Sequence, residues 1–114
     1  MTPARYGIYL AALDPAIGSE IAKTRPVVVV SMDALNRHLE TVVVCPLTTK
    51  LHPVWRSRIQ VRCAGKPAEI AVDQIRTIST LRLVRKLDHL SPAAAEKLRQ
   101  LIVEMYGRPE PPGG

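Results

Sequence analysis

Two polar blocks stand at the ends of very apolar runs, and their residue types suit work on a phosphodiester. Lys23-Thr24-Arg25-Pro26 enters the run Val27–Val30, and Thr48-Thr49-Lys50 leaves the run Thr41–Leu47. A guanidinium offers a planar fork of donors to phosphate oxygens, and a threonine hydroxyl donates to the same group. Together they could grip a phosphodiester and stabilise its pentacoordinate transition state. A structural reading stands beside this one: Arg25 pairs with Glu20 or Asp33, and the threonines satisfy a turn. Arg56, Arg58, Arg62 and Lys66 carry a similar double reading, as a basic stripe that tracks a polyanion or as a solvated strand face.

Other chemistries find little support. His38, His52 and His89 are far apart and lack paired-ligand spacing, so they read as ordinary surface or half-buried histidines and no metal site is expected. Cys45 and Cys63 form no CxxC pattern and read as buried thiols in a reducing cytoplasm. The chain contains no GxSxG, HExxH, P-loop or dinucleotide-binding glycine pattern, so no cofactor is expected. The N-terminus lacks the order of a signal peptide, and no apolar run approaches the roughly 18 residues that span a bilayer.

The elements that must position the two blocks are mostly strands. Tyr6–Leu13 reads as a first strand ended by Asp14-Pro15, followed by a loop over Ala16–Thr24. Val27–Val30 is so uniformly β-branched that both its faces must be buried, with Pro26 at the strand's start. Asp33 is placed to cap a helical turn over Ala34–His38, and Thr41–Val44 forms a second buried strand that closes on Cys45-Pro46-Leu47. If these two strands pair antiparallel through the short connection around Asn36, Arg25 and Thr48 meet at one rim of the sheet.

Arg56–Arg62 alternates polar and apolar residues like a strand with one face in water, and Ala64–Pro67 turns it into Ala68–Val72. Asp73–Ile78 continues or follows that strand, and Leu81–Leu87 allows either a strand or a helical turn. A helix then opens with Ser91 as N-cap and Pro92 in its first turn; Leu98, Leu101, Ile102 and Met105 share a face, and Gly107 ends it. The expectation is one domain over residues 1–107, mainly β, with a strongly bent antiparallel sheet, one core and a C-terminal α-helix; residues 108–114 read as a disordered tail.

Hydrophobic residues make up 46% of the 114, yet Phe is absent and aromatics total 4%, so the core should be aliphatic. The formal net charge is +6, which either attracts a polyanionic partner or simply keeps the domain soluble. Arg outnumbers Lys eleven to five, tilting the balance towards planar recognition of phosphate or carboxylate.

The order of these blocks resembles the MazF/PemK ribonuclease toxins. Gly18-Ser19-Glu20 followed by Lys23-Thr24-Arg25-Pro26-Val27-Val28-Val29 is similar to that family's first block, Pro46-Leu47-Thr48-Thr49 to its second, and Val72-Asp73-Gln74-Ile75-Arg76-Thr77-Ile78 to its third. Leu90-Ser91-Pro92 opens a final helix as in the family, and the likeness runs from about Arg5 to Tyr106. The resemblance implies a small SH3-like barrel of the CcdB/PemK type. It further implies a sequence-specific, metal-independent endoribonuclease acting on single-stranded RNA by attack of the 2′-hydroxyl on the adjacent phosphate.

By the same resemblance Arg25 and Thr48 are the catalytic pair, while Glu20, Lys23, Thr49, Lys50, Gln74 and Arg76 are candidates for binding substrate. Glu20 is a candidate to position Arg25. An arginine hardly ever gives up a proton near neutral pH, so charge stabilisation suits Arg25 better than the role of base. The implied partners are a second copy in a homodimer and a cognate antitoxin whose acidic, disordered tail fills the groove. Arg5-Tyr6-Gly7-Ile8-Tyr9 departs from the family's usual Arg-Gly-acidic start, which bears on the first strand or the substrate groove. Two other readings of the fold are a non-catalytic toxin that binds DNA gyrase and a silent RNA-binding module.

Overall fold

The computed structural model describes residues 2–113. Among the described residues there are seven strands and two α-helices: β1 Gly7–Ala12, β2 Thr24–Val29, α1 Asp33–Asn36, β3 Thr41–Thr48, β4 Arg58–Cys63, β5 Lys66–Ala71, β6 Arg76–Ser79, β7 Leu83–His89 and α2 Pro92–Ile102. The sheet runs β4-β5-β3-β2-β1-β7, all pairings are antiparallel, and β6 pairs with the first half of β3. It is a curled half-barrel with the C-terminal helix against it. β3 is the hub, because β2 lies along one edge while β6 and then β5 share the other.

The valine run explains the layering. Val27, Val28 and Val29 are all fully buried, and because successive side chains point to opposite faces they enter two different apolar clusters. Ile8, Val28, Cys45, Leu47 and Ile70 pack with Leu98 of α2, whereas Tyr9, Val27, Val29, Val44 and Ile78 fill the other side. Two clusters therefore replace the single core expected. The core is aliphatic apart from Tyr9, whose hydroxyl accepts a hydrogen bond from the Ala4 amide at 2.9 Å.

Several local expectations need correction. β2 begins at Thr24 rather than at Pro26, because β1 pairs with Thr24 and Arg25 as well. Asp33 does not cap α1: its carboxylate accepts the Arg5 amide at 2.8 Å, and no side chain caps that turn. Arg5 is thereby bound into the fold, its Nε also donating to the Val30 carbonyl at 3.0 Å. Gly7 is required beside it, since an added Cβ would stand 2.8 Å from Tyr9 Cε1. Leu81–Leu87 holds both alternatives, a 3-10 turn over Thr80–Arg82 and then β7.

The hairpin and the helix follow the expected chemistry. Ala64 and Gly65 both have positive φ, 50° and 79°, the conformation a two-residue hairpin turn demands. Pro67 is tolerated in β5 because it lies opposite Arg62, beyond the stretch paired with β3. Ser91 caps α2 by accepting the Ala94 amide at 3.2 Å, and a wider turn over Val103–Gly107 carries the chain on from the helix. No helix is long and apolar enough to cross a membrane among the described residues.

Candidate active site

The strand register brings the two polar blocks together. β2 and β3 are paired at Val27 and Pro46; carried on by two residues along each strand, that register sets Arg25 opposite Thr48. On its other edge Thr48 is paired with Glu69 of β5, so their side chains share one face of the sheet. Arg25 is exposed, and among the described residues its guanidinium makes no hydrogen bond or ion pair. The structural alternatives for it are filled otherwise. Glu20 accepts the Ile17 amide at 3.0 Å and lies 4.0 Å from Arg76, while Asp33 holds Arg5. The contacts of Glu20 are thus to Ile17 and Arg76 rather than to Arg25.

Thr48 lines a cleft of about 390 Å3 with Ser19, Lys50, His52, Trp55, Arg58, Asp73 and Gln74 among its walls. The Thr48 hydroxyl accepts the Lys50 amide at 3.1 Å, which fixes the turn leaving β3. Thr49 is exposed beside it. Gln74 ties the loop between β1 and β2 to the cleft: its Oε1 accepts the Ile21 amide at 2.7 Å and its Nε2 donates to the Ser19 carbonyl at 3.3 Å. Asp14 holds the base of the same loop by accepting the Lys23 amide at 2.8 Å, and Lys23 itself has a left-handed backbone, φ 66°, with an exposed side chain. Gln74 also borders a smaller recess of about 200 Å3 lined by Glu20 and Arg76, where the Arg76 NH1 group is buried without a hydrogen-bond partner.

Beneath the cleft lies a charged network, of which His52, Arg58 and Asp73 line the cleft itself. Glu69 is completely buried, and it accepts from Gln60 Nε2 at 2.7 Å, Arg58 NH1 at 2.8 Å and the His52 amide at 2.5 Å, with His52 Nδ1 at 3.2 Å. Arg58 also binds Asp73 at 2.8 Å, and its side chain is only 5% exposed, so it does not belong to a solvated strand face. Arg56 and Arg62 do lie in water. Trp55 stacks on His52 with ring centroids 3.9 Å apart, and the Arg58 guanidinium lies 4.7 Å from the Trp55 ring centre.

The electrostatics follow from this packing. Burial alone would raise the Glu69 carboxyl, but the hydrogen bonds from Gln60, His52 and Arg58 outweigh it and hold the group at about 2. Burial likewise opposes ionisation of Asp73, and its hydrogen bonds from Arg58 and Ser57 bring it below the ordinary carboxylate range. Burial, with Asp73 adding a smaller push, raises the Cys45 thiol to about 12, and both cysteines are free. A detectable signal for the network was present: Glu69 is the one charge within the apolar stretch Ala68–Val72, which calls for a buried partner. Among the described residues no group of three or more His, Cys, Asp or Glu is arranged to hold a metal ion.

Residues 4–106 match the family described as PemK-like, MazF-like toxin of type II toxin-antitoxin system. The chain belongs to the PemK/MazF toxin family. Two relatives place it beside named enzymes. It is 31% identical over 103 residues to endoribonuclease EndoA of Bacillus subtilis, covering 86% of this chain and 89% of that protein. It is also 31% identical over 106 residues to endoribonuclease MazF of Staphylococcus saprophyticus, covering 86% of each.

The MazF fold is shared by solved structures at lower identity. MazF from Deinococcus radiodurans superimposes with a TM-score of 0.83 at 18% identity, over 95% of this chain and 99% of that one. An endoribonuclease in complex with its cognate antitoxin from a mycobacterial species gives 0.79 at 24%, over 96% and 99%. Within this MazF/PemK chain, Arg25 lies on β2 two residues beyond its last pair with β3, Lys50 and Gln74 join Thr48 in the main cleft, Glu20 and Arg76 share the recess beside it, and Lys23 and Thr49 stay at the exposed edges.

Proposed function

We propose that this MazF-family endoribonuclease toxin cuts single-stranded RNA at a preferred sequence, without a divalent ion or other cofactor. The 2′-hydroxyl attacks the adjacent phosphate, leaving a 2′,3′-cyclic phosphate and a 5′-hydroxyl. The observation that carries this reading is the β2–β3 register, which sets an unpaired, exposed guanidinium opposite a threonine that lines a cleft. Arg25 neutralises charge on the phosphoryl oxygens, and Thr48 orients the scissile phosphate. Lys23, Thr49 and Lys50 follow the backbone, while Glu20, Gln74 and Arg76 read an unstacked base by hydrogen bonding.

The protein works in the cytoplasm as a symmetric homodimer held in check by an antitoxin with an acidic, disordered tail. A net charge of +6 suits such a tail. End-group analysis of a labelled RNA tests the chemistry. Fragments should carry a cyclic phosphate and accept label at a free 5′-hydroxyl; products with 5′-phosphates would point instead to attack by water with loss of the 3′-oxygen.

A further inference from the structure

Resting on the nuclease reading above, the geometry points to His52 as the proton acceptor for the attacking 2′-hydroxyl, with Glu69 as its positioning residue. The reaction needs a base that Arg25 and Thr48 do not supply, since a guanidinium stays protonated and a threonine hydroxyl is no base near neutral pH. His52 lines the same cleft as Thr48, and it is the cleft side chain whose kind ordinarily changes charge between about pH 5 and 8.

The orientation of the ring is settled by its neighbours. Nδ1 faces Glu69 Oε2 at 3.2 Å and Arg58 NH1 at 3.5 Å. The carboxylate accepts only, and it is the nearer group, so Nδ1 carries the hydrogen and Nε2 keeps a free lone pair. Trp55 covers one ring face and Glu69 the Nδ1 edge, yet 23% of the His52 side chain remains accessible. Among the described residues no hydrogen bond engages Nε2.

The charged groups around the imidazole come from every element of the cleft. Glu69 of β5 and Arg58 of β4 both face Nδ1, and the Arg58 charge is matched by Glu69 and Asp73. Asp73, in the turn after β5, and Lys50, in the loop leaving β3, line the same cleft. In the step itself the 2′-hydroxyl proton passes to Nε2, the O2′–P bond forms and the P–O5′ bond breaks. The departing 5′-oxygen takes a proton from water, and the imidazolium later returns its own to solvent, so no net proton is consumed.

His52→Asn is the discriminating variant, because its side-chain amide can still donate to Glu69 while nothing replaces Nε2. The parent should show an acid limb of unit slope in log kcat/KM. His52→Asn should lose about 100-fold to 1,000-fold in kcat, with KM within about threefold, and should lose the limb. Glu69→Gln, assayed where a melt shows it folded, should move the limb, because the carboxylate beside Nδ1 becomes a neutral amide. His52→Asn cleaving within about threefold of the parent with the same limb would overturn the assignment and leave the nuclease reading intact. An unmoved limb in Glu69→Gln would remove Glu69 from it. A folded parent that leaves RNA whole would overturn the nuclease reading itself, and this inference with it.

Discussion

Arg25→Ala is expected to abolish most RNA cleavage while leaving the fold as stable as the parent's. Losing a preorganised charge-stabilising donor typically costs about 100-fold to 1,000-fold in rate. Arg25 concentrates a full positive charge in a fork of donors, so the upper end of that range is the expectation here. Stability should stay within about 0.5 kcal/mol, because the side chain is exposed and holds no neighbour in place. Single-turnover cleavage and urea unfolding, measured on the same preparation, check both halves. Destabilisation of 2 kcal/mol or more would mean that Arg25 serves the fold, and cleavage within a few fold of the parent would remove it from the site. Thr48→Ala should fall in the same direction by a smaller factor, since a neutral hydroxyl contributes less than a charged fork.

Glu69→Ala is expected to be among the most destabilising single substitutions in the chain, at about 3–5 kcal/mol. Breaking a buried ion pair by removing one partner costs that much because the other charge is left without compensation. Here Arg58 would keep only Asp73, and the His52 amide, the His52 ring and Gln60 would lose their shared acceptor. Urea midpoints measure the loss. A change below about 1 kcal/mol would show that the network contributes little to the fold.

The pH dependence of stability has the same origin. Glu69 is held at about 2 in the folded protein against an ordinary value of 4.5, so the unfolded chain takes up its proton first as the solution is acidified. The Glu69 contribution is therefore fully present above about pH 5 and is lost as the pH falls towards 2. Glu69→Gln should flatten that part of the curve.

How much of this was legible in the sequence depended on the range of the interaction. The burial of Val27–Val30 on both faces, the Ala64-Gly65 hairpin and the Ser91 cap rest on local patterns, and they appear as expected. The antiparallel pairing of β2 and β3, the one long-range assumption behind placing Arg25 near Thr48, is present, and the connection through Asn36 is short enough to make it natural. The network beneath the cleft was legible only in part, since the lone charge of Glu69 calls for a buried partner but nothing local names it. His52, Arg58, Gln60, Glu69 and Asp73 come from the loop after β3, two strands and a 3-10 turn, and no spacing links them. Alternation in Arg56–Arg62 suggested a solvated Arg58, but a buried carboxylate on the next strand turned it inward. Asp33 departs from its expected role because it is the first residue of α1, with Met32 at the N-cap, and its carboxylate accepts the Arg5 amide instead.

The central claim, a sequence-selective nuclease that needs no metal, is tested most directly by incubating the purified protein with a long unstructured RNA in excess EDTA and mapping new 5′ ends by primer extension. Discrete cuts sharing a short sequence, made by the parent and not by Arg25→Ala, are the predicted result. Intact RNA with a protein shown to be folded would contradict the claim and turn attention to a non-catalytic role, whether poisoning DNA gyrase or binding RNA without cutting it.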